Sequence, residues 1–567
     1  MPLVNTVPNR EFSTVKNALP LDEYHQTKNG KKFILYHTNW STYGRDYQVS
    51  DLPIDHIPEI AYAFFNVDAN GNVISGDTWS DFDKRFIDPT KSVMPVDDWN
   101  STETYFGNLG QFRKLKEAGK KFNLTLSLGG WSWSRYFSRA VNPSNRTTLV
   151  NNIISMVTKY PIFCGISLDW EYFTNDNINH GNQGNESRDQ DCINLIETIK
   201  LLKFRLESIG KKHYKISVCC SANPQMIVLS DLFNVCKVAD ELHVMTYDFS
   251  DYNFSRPISS HHTNLKKCDY SNFSIEETVD ALLKAGIKST AIFIGVAFYS
   301  RGFGGTEGPG KLATKPSSDT SWESGIVDYK ALPLPGATEY WDKNCMAPFS
   351  YDPVKKIYNS YDNVNSVFYK SKYVLEKNLG GILVWESSGD RRINDPKSLV
   401  AALYKYLIEE ESREPVLPIV WDGSHTGLVP PVVPVPVSPV PAPVVPVPVP
   451  VVPVPILILP APRPPVQTFP FWNPNSVYDT EDVVIYNGTF YKCIKKHTSN
   501  KESSPDKTKG VLWVDIESQI KPVPEKSNCD CADKIIDHLT RMKIKIDVSI
   551  DFDKTVDTII DSYVQRF

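Results

Sequence analysis

Three polar residues of one short segment have the spacing and the side chains of an acid–base catalyst. The segment Phe163–Tyr172 reads FCGISLDWEY, so Ser167, Asp169 and Glu171 alternate with apolar residues. A period of two places the three side chains on one face of a β-strand, with neighbours about 7 Å apart along the backbone. Two carboxyls held so close repel each other when both are ionised, so the pair predicts one carboxyl that stays protonated.

Glu171 is the member of this pair that suits a general acid. It stands at the end of the predicted strand, where Trp170 and Tyr172 are expected to shield it from water. Burial and the charge of Asp169 both raise the pKa of Glu171, which keeps it protonated near neutral pH and able to donate a proton. On this segment alone, a pair of surface carboxylates at the end of a strand stays open as the alternative.

Alternating strand and helix patterns over residues 30–408 must position these groups. Eight short apolar runs predict buried strands, and segments with a period of 3.6 residues predict helices between them. The runs begin at Phe33, Ile60, Phe122, Phe163, Tyr214, Glu241, Ala291 and Gly381, and the helical segments include residues 143–159, 189–209 and 275–286. This alternation predicts an α/β fold of repeated βα units, a (β/α)₈ TIM barrel, whose catalytic groups lie at the carboxyl ends of its strands.

The length of this region predicts an insertion into the barrel. A (β/α)₈ barrel typically needs about 250 residues, and residues 30–408 exceed that length. The longest interval between two predicted strands separates the seventh from the eighth, so an α+β insertion is predicted at about residues 303–379. We expect this insertion to form a small subdomain along one side of the site.

The segment around Glu171 resembles the fourth-strand motif Asp-x-x-Asp-x-Asp-x-Glu of the family 18 glycoside hydrolases, the chitinases. Four further segments are similar to motifs of that family on other strands of the barrel. In chain order they are Ser127-Leu-Gly-Gly-Trp131, Met245-Thr-Tyr-Asp248, Tyr299-Ser-Arg301-Gly-Phe and Gly380-Gly-Ile-Leu-Val-Trp385, on the third, sixth, seventh and eighth strands. The resemblance covers about residues 30–405, and five motifs in the family's order are far more specific than any one of them.

The resemblance implies a reaction as well as a fold. Family members hydrolyse β-1,4-linked N-acetylglucosamine polymers with retention, and the acetamido oxygen of the substrate is the nucleophile. Glu171 would protonate the glycosidic oxygen and later activate water, while Asp169 would accept the acetamido N–H and stabilise the oxazolinium ion. Tyr247 would hydrogen-bond the acetamido oxygen, and Asp248 would hold the distorted sugar. The implied activity is that of an endo-type chitinase.

Substrate-binding residues also follow from the resemblance. Trp385 offers a flat apolar face to a pyranose ring at the floor of the sugar site. The other implied contacts, in chain order, are Tyr36, Phe64, Ser127, Trp131, Met245 and Arg301. Without the resemblance, each aromatic residue of this set is more often a core residue than a site residue.

The chain departs from the family at two positions of the fourth-strand motif. Cys164 stands where the family has its first Asp, and Ser167 stands where it has its second. In the family the second Asp shares a proton with the carboxyl at position 169, whereas a serine can hydrogen-bond Asp169 without sharing its titration. The departure predicts reduced or pH-shifted activity, and Ser167→Asp is expected to raise turnover.

Other functions remain as alternatives at this stage. Proteins of the same fold that bind chitin as lectins characteristically lose the acid, whereas this chain keeps Glu171, Asp169, Tyr247 and Asp248. An enzyme is therefore favoured over a catalytically weak or inactive chitin-binding lectin. A third interpretation replaces chitin by peptidoglycan or by a glycoprotein glycan.

Composition marks the regions outside the barrel. Of the 41 prolines, 16 fall between Pro430 and Pro465, in a Pro-Val alternation that favours polyproline II. We predict a linker over residues 409–468, and the 37 residues from Val429 to Pro465 would span on the order of 110 Å at about 3.1 Å per residue. Residues 1–29 are predicted to be an N-terminal extension, and residues 517–567 a tail of unknown role.

A short aromatic-rich segment follows the predicted linker. Residues 469–516 resemble the chitin-binding modules of carbohydrate-binding families 5 and 12, and Trp472, Tyr491 and Trp513 are the predicted chitin-contacting residues. Such modules bind because flat aromatic side chains stack on the apolar faces of sugar rings. The alternative is that these three residues form the core of a tiny domain.

Composition and charge limit the partners. The chain has 61 basic and 66 acidic residues, a net charge of -5, which gives no field that would gather nucleic acid. No apolar run reaches the length of about 18 residues that a membrane helix needs, so a soluble protein is predicted. Chitin or chitooligosaccharides are the predicted partners, and the oligomeric state stays open.

Neither a metal nor a cofactor is predicted. No cysteine pair has the spacing of a zinc or thioredoxin motif, and His261 and His262 are interpreted as a loop pair without an accompanying carboxylate or cysteine. The first 30 residues contain no apolar stretch typical of a secretory signal. The delivery route is therefore open, and release on lysis or packaging into a virion would need no such signal.

Overall fold

The computed structural model describes residues 20–254, 257–318, 320–421, 477–480, 483–486, 489–498, 504–505 and 513–515. The chain divides into two compact units, Met1–Pro436 and Val437–Phe567. The first unit contains the barrel and its insertion, and the second contains the short strands of the C-terminal module. The predicted tail and most of the predicted linker lie outside the described residues.

Seven parallel strands and one short antiparallel neighbour form the first part of the barrel sheet. They are β1 (Lys32–Thr38), β2 (Glu59–Val67), β3 (Val73–Ser75), β4 (Asn123–Gly129), β5 (Gly165–Asp169), β6 (Lys215–Ser221), β7 (Glu241–Met245) and β8 (Ile292–Ala297). The short strand β3 pairs with β2, and the other seven pair in parallel. These seven begin within two residues of the predicted runs, because continuous burial on both faces makes each strand an apolar run.

Helices alternate with the strands and cover the outside of the sheet. They are α1 (Gly107–Glu117), α2 (Phe137–Ala140), α3 (Arg146–Lys159), α4 (Asp191–Ser208), α5 (Pro224–Leu229), α6 (Leu232–Val235), α7 (Ile275–Lys284), α8 (Val364–Glu376) and α9 (Leu399–Leu403). Four of them start at side-chain caps; for example, Ser274 accepts the N–H of Glu277 at α7, and Asn363 closes a capping box at α8. Among these described helices, none has the length and apolar character that crossing a membrane requires.

The predicted insertion is a separate mixed sheet. Its strands are β9 (Tyr299–Gly304), β10 (Lys315–Pro316), β11 (Ile326–Asp328), β12 (Thr338–Asp342), β13 (Ala347–Asp352) and β14 (Ile357–Ser360). Neighbouring strands of the insertion pair in the antiparallel sense around a core that contains Phe303, Phe349 and Tyr358. A disulfide between Cys268 and Cys345, with 5.3 Å between the Cα atoms, ties the insertion to the segment that follows β7.

Two more strands complete the first unit. β15 (Gly381–Trp385) pairs with β1 and with β8, and β1 also pairs with β2, so eight parallel strands close into a barrel. β16 (Ile419–Trp421) pairs in parallel with β12, and the ring of Trp421 packs 5.6 Å from that of Phe349. The folded domain thus continues beyond residue 408, where the sequence pattern ended it, and residues 409–421 belong to it rather than to the linker.

Ten described residues of the predicted N-terminal extension lie against the barrel. The side chain of Asn29 donates a hydrogen bond of 2.8 Å to the carbonyl oxygen of Leu407, and the backbone N–H of His25 donates one of 2.7 Å to Asn123. Asp22 forms an ion pair with Lys211. Residues 20–29 are therefore attached near the amino ends of the barrel strands.

The barrel has an apolar shell outside its strands and a mixed interior. The outer core lies between strands and helices, while a smaller inner cluster includes Tyr36, Phe64 and Cys219. At the amino end of the interior, Lys32 lies 2.5 Å from a carboxylate oxygen of Glu59 and 2.8 Å from one of Glu241. Polar side chains thus line the interior from this ion cluster to the carboxyl ends of the strands.

The described part of the second unit consists of short strands. β17 (Val477–Tyr478) pairs with β20 (His497–Thr498), while β18 (Val483–Tyr486), β19 (Thr489–Cys493) and β21 (Trp513–Asp515) form a three-stranded antiparallel sheet. Tyr491 is buried, which favours the core alternative for this residue over exposed stacking on sugar. Trp472 and the side chain of Trp513 lie outside the described part of the chain, so their predicted contact with chitin stays a prediction.

Candidate active site

The predicted acid and its neighbour are buried side by side at the carboxyl end of β5. Asp169 is 4% exposed and Glu171 is 8% exposed. Burial and the charge of Asp169 raise the pKa of Glu171 well above its usual range, and the charge of Asp248 acts in the same direction. Burial raises the pKa of Asp169 to about 7. Two adjacent carboxyls with raised pKa values retain at least one proton at neutral pH, as a general acid requires.

Glycines of the Ser127–Trp131 segment let the ends of β4 and β5 approach each other closely. Gly129 has a φ of +104°, and a Cβ atom there would lie 2.3 Å from the carbonyl oxygen of Asp169, so only glycine fits. The N–H of Gly130 donates a hydrogen bond of 2.7 Å to that same oxygen. The segment therefore positions the backbone that carries the acid.

Ser134 holds the backbone of Glu171, the predicted acid, in place. Its hydroxyl oxygen accepts the N–H of Glu171 at 2.8 Å and lies 2.9 Å from the carbonyl oxygen of Gly130. Sequence reasoning missed Ser134, because nothing in its local pattern distinguishes it from an ordinary loop serine. Its contribution appears only when the loops after β4 and β5 are placed together.

The two aromatic neighbours of Glu171 have different roles. The polar interaction of Tyr172 with Glu171 opposes part of the rise in the pKa of Glu171. Trp170 faces the other side of the strand, where its ring stacks on Phe137 with centroids 5.5 Å apart in the outer core. The prediction that Trp170 shields the acid is therefore wrong, because a residue adjacent in sequence points to the opposite face.

Asp248 follows β7 and is held in the ionised form. Its Oδ1 atom accepts hydrogen bonds of 2.7 Å from Tyr299 and from Nε of Arg301. Although burial opposes ionisation, Arg301 and His262 hold the pKa of Asp248 well below its usual range. The side chain is 40% exposed, so a charged carboxylate faces the cleft beside a protonated acid.

Tyr247 lies over a glycine of the adjacent strand. It packs against the inner barrel cluster that contains Tyr36, and its ring is 6.2 Å from that of Tyr299. A Cβ atom at Gly295 would lie 2.7 Å from Cδ1 of Tyr247, too close for any side chain there. The ring position therefore depends on a residue that sequence reasoning did not select.

The aromatic residues predicted to bind sugar meet at the centre of the same end. The ring of Trp385 stacks on Phe64, with centroids 5.7 Å apart and an interplanar angle of 19°, and lies 5.7 Å from Tyr36. Trp40, which sequence reasoning missed, adds a ring 6.3 Å from Trp385. Trp131 follows β4 at this end of the barrel and is 51% exposed. Together these rings provide flat apolar surface beside the carboxyls.

Met245 and Ser127 occupy the floor beneath this surface. Met245 packs against the inner cluster, and Ser127 is fully buried. The Oγ atom of Ser127 has no hydrogen-bond partner among the described residues. Ser127 thus lies in the barrel interior, whereas Met245 is partly buried at its edge.

Ser167 does not bond Asp169 in the way that the sequence suggested. Its Oγ atom lies 3.4 Å from the hydroxyl of Tyr36 and 3.6 Å from the sulfur of Cys219. Oδ1 of Asp169 has no hydrogen-bond partner among the described residues. Cys164, the other departure from the family motif, is buried with its thiol 3.7 Å from the carbonyl oxygen of Leu124.

Among the described residues, one group of possible metal ligands lies where the segment after β7 meets the insertion. Nε2 of His261 lies 3.1 Å from Asp342, and these groups lie within 4.8 Å of the sulfur of Cys345. The stated reason against a metal, that no carboxylate or cysteine accompanies His261, is therefore wrong. The sulfur of Cys345 is nevertheless engaged in a disulfide, and Nδ1 of His261 is 3.3 Å from Tyr358. The donors are those of a buried hydrogen-bond network.

The chemistry of the site follows from its charges and its surfaces. A protonated carboxyl, an ionised carboxylate and an aromatic floor meet at the carboxyl end of a closed barrel. This arrangement can protonate an oxygen atom between sugar rings that stack on the aromatic surface. The fold and the site together define a barrel glycoside hydrolase.

Sequence comparison identifies the family. Residues 32–390 match Glycosyl hydrolases family 18, and residues 471–513 match Carbohydrate-binding module family 5/12. The first match covers more than half of the chain, so the protein belongs to glycosyl hydrolase family 18. The resemblances found in the sequence, to this family and to the carbohydrate-binding module, are confirmed.

Individual relatives agree with this assignment. The chain is 31% identical over 392 residues to Endochitinase 1 of Metarhizium robertsii, a match that covers 68% of this chain and 87% of the relative. It is 30% identical to Chitinase 1 of Aphanocladium album, over 67% of this chain and 86% of the relative. The catalytic domain of chitinase B from Arthrobacter TAD20 superposes with a TM-score of 0.63 at 26% identity, over 70% of this chain and 99% of that one.

Proposed function

We propose that this enzyme is an endo-type chitinase that hydrolyses β-1,4 linkages between N-acetylglucosamine residues by substrate-assisted, retaining catalysis. The observation that carries the proposal is the buried pair of Glu171 and Asp169, whose pKa values are both raised, at the mouth of a barrel with an aromatic floor. The names of the relatives supply the substrate class, and the carbohydrate-binding module supports a polymeric substrate.

Glu171 carries the proton transfers of the proposed reaction. In its protonated form it donates to the glycosidic oxygen as the bond to the anomeric carbon breaks. The resulting carboxylate then accepts a proton from the water that attacks the anomeric carbon. The hydrogen bond from its backbone N–H to Ser134 holds the main chain that carries the carboxyl in one place for both steps.

The nucleophile of the proposed reaction is the acetamido oxygen of the substrate. Asp169 accepts the acetamido N–H and stabilises the positive charge of the oxazolinium ion. Tyr247 donates its hydroxyl to the acetamido oxygen and directs it at the anomeric carbon. Because the substrate provides this group, the mechanism needs no second carboxylate as nucleophile.

Asp248 orients the sugar in this scheme. Its charge is stabilised by Arg301 and His262, so it accepts hydrogen bonds from sugar hydroxyls and does not donate a proton. The ring of Trp385 supports the apolar face of the same sugar. Substrate is thus fixed between an aromatic surface and an ionised acceptor, which favours the distorted ring of the transition state.

Mass spectrometry of products tests the proposal. The full chain incubated with chitin is expected to release soluble oligomers of several lengths at early times, as internal cleavage requires, and proton NMR should show the β-anomer first. Glu171→Gln is expected to abolish release, whereas Glu376→Gln, which changes an exposed carboxylate of α8, is expected to leave it unchanged. A wild-type protein that binds chitin and releases nothing would support the lectin alternative.

A further inference from the structure

A fully buried lysine in the middle of α8 extends behind the segment that follows β7. Lys370 is 0% exposed, and its Nζ atom donates hydrogen bonds of 2.6 Å to Oγ1 of Thr263 and 3.3 Å to the carbonyl oxygen of Gly295. It also lies 2.8 Å from Oδ2 of Asp362, which accepts the N–H of Ala297 at 2.9 Å and so joins the ion pair to the end of β8. Three acceptors match the three protons of an ammonium group.

The hydroxyl of Thr263 connects this lysine to the residue before Tyr247. Because Oγ1 of Thr263 accepts a proton from Lys370, its own proton is donated elsewhere, and the carbonyl oxygen of Thr246 lies 2.9 Å away. The carboxylate of Asp362 is farther from the same hydroxyl, at 3.3 Å. The hydroxyl therefore donates to Thr246 and holds its carbonyl group.

Gly295 provides a second connection between the lysine and the same residue. Its N–H donates a hydrogen bond of 2.6 Å to Oγ1 of Thr246, while its carbonyl oxygen accepts from Lys370. The carbonyl group of Thr246 is thus held through Thr263, and its side chain is held through Gly295. Both routes lead to one buried ammonium group.

The residue next to Thr263 contacts the other side of Tyr247. Nδ1 of His262 lies 3.5 Å from Oδ1 of Asp248, and the carbonyl oxygen of His262 accepts the N–H of Phe249 at 3.0 Å. His262 and Thr263 therefore contact the chain on both sides of Tyr247. A displacement of this two-residue segment would move the backbone that carries the Tyr247 ring.

We propose that Lys370 is a positioning residue that fixes Tyr247 from outside the cleft, through Thr263 and Thr246. The inference rests on the proposed function, in which Tyr247 directs the acetamido oxygen of the substrate. Lys370 has no exposed surface, so it acts through these neighbours and not by contact with sugar. The alternative is an ion pair that only stabilises the packing of α8 on the barrel, which predicts a loss of stability without any change at Tyr247.

Substitutions at Thr263 separate the connection from the ion pair. Thr263→Val removes the hydroxyl, retains a side chain of similar shape and leaves Lys370 paired with Asp362. On a soluble chitooligosaccharide, Thr263→Val is expected to lower kcat roughly tenfold with KM changed less than about twofold, because the reacting group loses its orientation. Thr263→Ser keeps the hydroxyl and should stay near wild type. Equal losses in the two variants, or an unchanged kcat in Thr263→Val, would overturn the proposal.

Removal of the ammonium group tests Lys370 directly. Lys370→Met alone would leave a buried carboxylate without its cation, so it is combined with Asp362→Asn. This double variant is expected to lower kcat about as much as Thr263→Val does, and adding Thr263→Val should lower kcat little further, because both changes break the same connection. Lys114→Met removes a partly buried ion pair with Asp97 on α1 and is the control, expected to lose stability at constant kcat. Fully multiplicative losses, or an equal loss of kcat in Lys114→Met, would overturn the proposal.

Fluorine NMR of the folded protein tests the position of Tyr247 without turnover. In protein labelled with fluorotyrosine, Tyr247→Phe assigns the resonance of Tyr247. That resonance is expected to shift in Thr263→Val and to stay in place in Lys114→Met. An unshifted resonance in Thr263→Val would overturn the proposal. A shifted resonance in a protein whose wild type releases no product from chitin would instead support the positioning role and refute the proposed function, so the two failures are distinguishable.

Discussion

Neighbouring groups give the carboxyls of the active site different charge states. Glu171 and Asp169 are buried together, which raises the pKa of both, whereas Arg301 and His262 keep Asp248 ionised. Identical functional groups can therefore serve as acid and as charge stabiliser within one cleft. The distinction comes from local contacts, so single substitutions should change it in a direction that can be stated in advance.

Asp169→Asn is predicted to move the alkaline limb of the activity profile to lower pH. The charge of Asp169 raises the pKa of Glu171, so its removal lowers that pKa, and Glu171 loses its proton at a lower pH than in the wild type. In the proposed mechanism Asp169 stabilises the oxazolinium ion, so its loss should also reduce kcat roughly 100-fold. The pH dependence of kcat/KM on a soluble oligomer measures both effects. Asp280→Asn, on the exposed face of α7, is the control and should leave the limb unmoved.

Ser167→Asp should raise turnover when the sulfur next to it is also removed. Ser167 is fully buried with the sulfur of Cys219 3.6 Å from its Oγ, so a longer side chain alone overfills the interior, at a cost of about 1–3 kcal/mol in the free energy of unfolding. The double variant Ser167→Asp, Cys219→Ala provides room for a carboxyl that can share the proton of Asp169. Turnover and urea unfolding are measured for the wild type, the two single variants and the double variant, which together form a double-mutant cycle. Additive effects on kcat would contradict this account.

Sequence alone identified the central residues of the site because they lie in short motifs. Glu171 and Asp169 belong to one segment, and the segment of Tyr247 and Asp248 carries its own signature. Ser134 and Cys219 escaped notice because their partners are 37 and 52 residues away along the chain, and only the packing of adjacent strands brings them together. Contacts of that kind have no local pattern to detect.

At the scale of elements, the loop after β7 depends on the absence of a side chain on β8. Gly295→Ala would place a Cβ atom 2.7 Å from the ring of Tyr247 and 3.0 Å from the N–H of Thr246. We predict that the ring moves, and that kcat on a soluble oligomer falls at least tenfold, because a displacement near 1 Å is enough to misalign the reacting group. Steady-state kinetics with circular dichroism to confirm folding would measure this.

A matched glycine separates this effect from general crowding. Gly165 begins β5 at the opposite end of the barrel, where a Cβ atom would lie 2.5 Å from Oγ1 of Thr125. Gly165→Ala should lower the unfolding temperature without changing kcat. If Gly165→Ala and Gly295→Ala reduce kcat equally, crowding of the barrel as a whole, and not the position of Tyr247, explains the loss.

The strands of the barrel were predictable and one strand of the insertion was not. Barrel strands are buried on both faces and are apolar runs, so their positions follow from sequence with errors of one or two residues. β16 has three residues, Ile419 and Val420 are partly exposed, and it follows a charged segment that ends at Glu414. Its place beside β12 depends on burial of Trp421 against a sheet whose other strands lie far earlier in the sequence.

The whole chain combines a catalytic barrel with a carbohydrate-binding module, and a Pro-Val segment separates the two in sequence. The barrel unit has its own core, and its last described strand, β16, is an integral part of the insertion sheet. A truncation that preserves the catalytic unit must therefore end after Trp421 and not at residue 408. This boundary makes a clean test of the module feasible.

Removal of everything after Trp421 is predicted to leave hydrolysis of soluble oligomers unchanged and to slow hydrolysis of insoluble chitin. The residues of the candidate active site lie within residues 36–385, so kcat and KM on a chitotetraose should stay within about twofold of the full chain. On solid chitin at low enzyme concentration the truncated chain loses the effective concentration that a tethered module provides, and the rate should fall roughly tenfold or more. A chain that ends at residue 468 keeps the predicted linker without the module and is the matched control, expected to behave like the shorter chain. Equal rates of the truncated and full chains on solid chitin would show that the module contributes nothing to catalysis on the polymer.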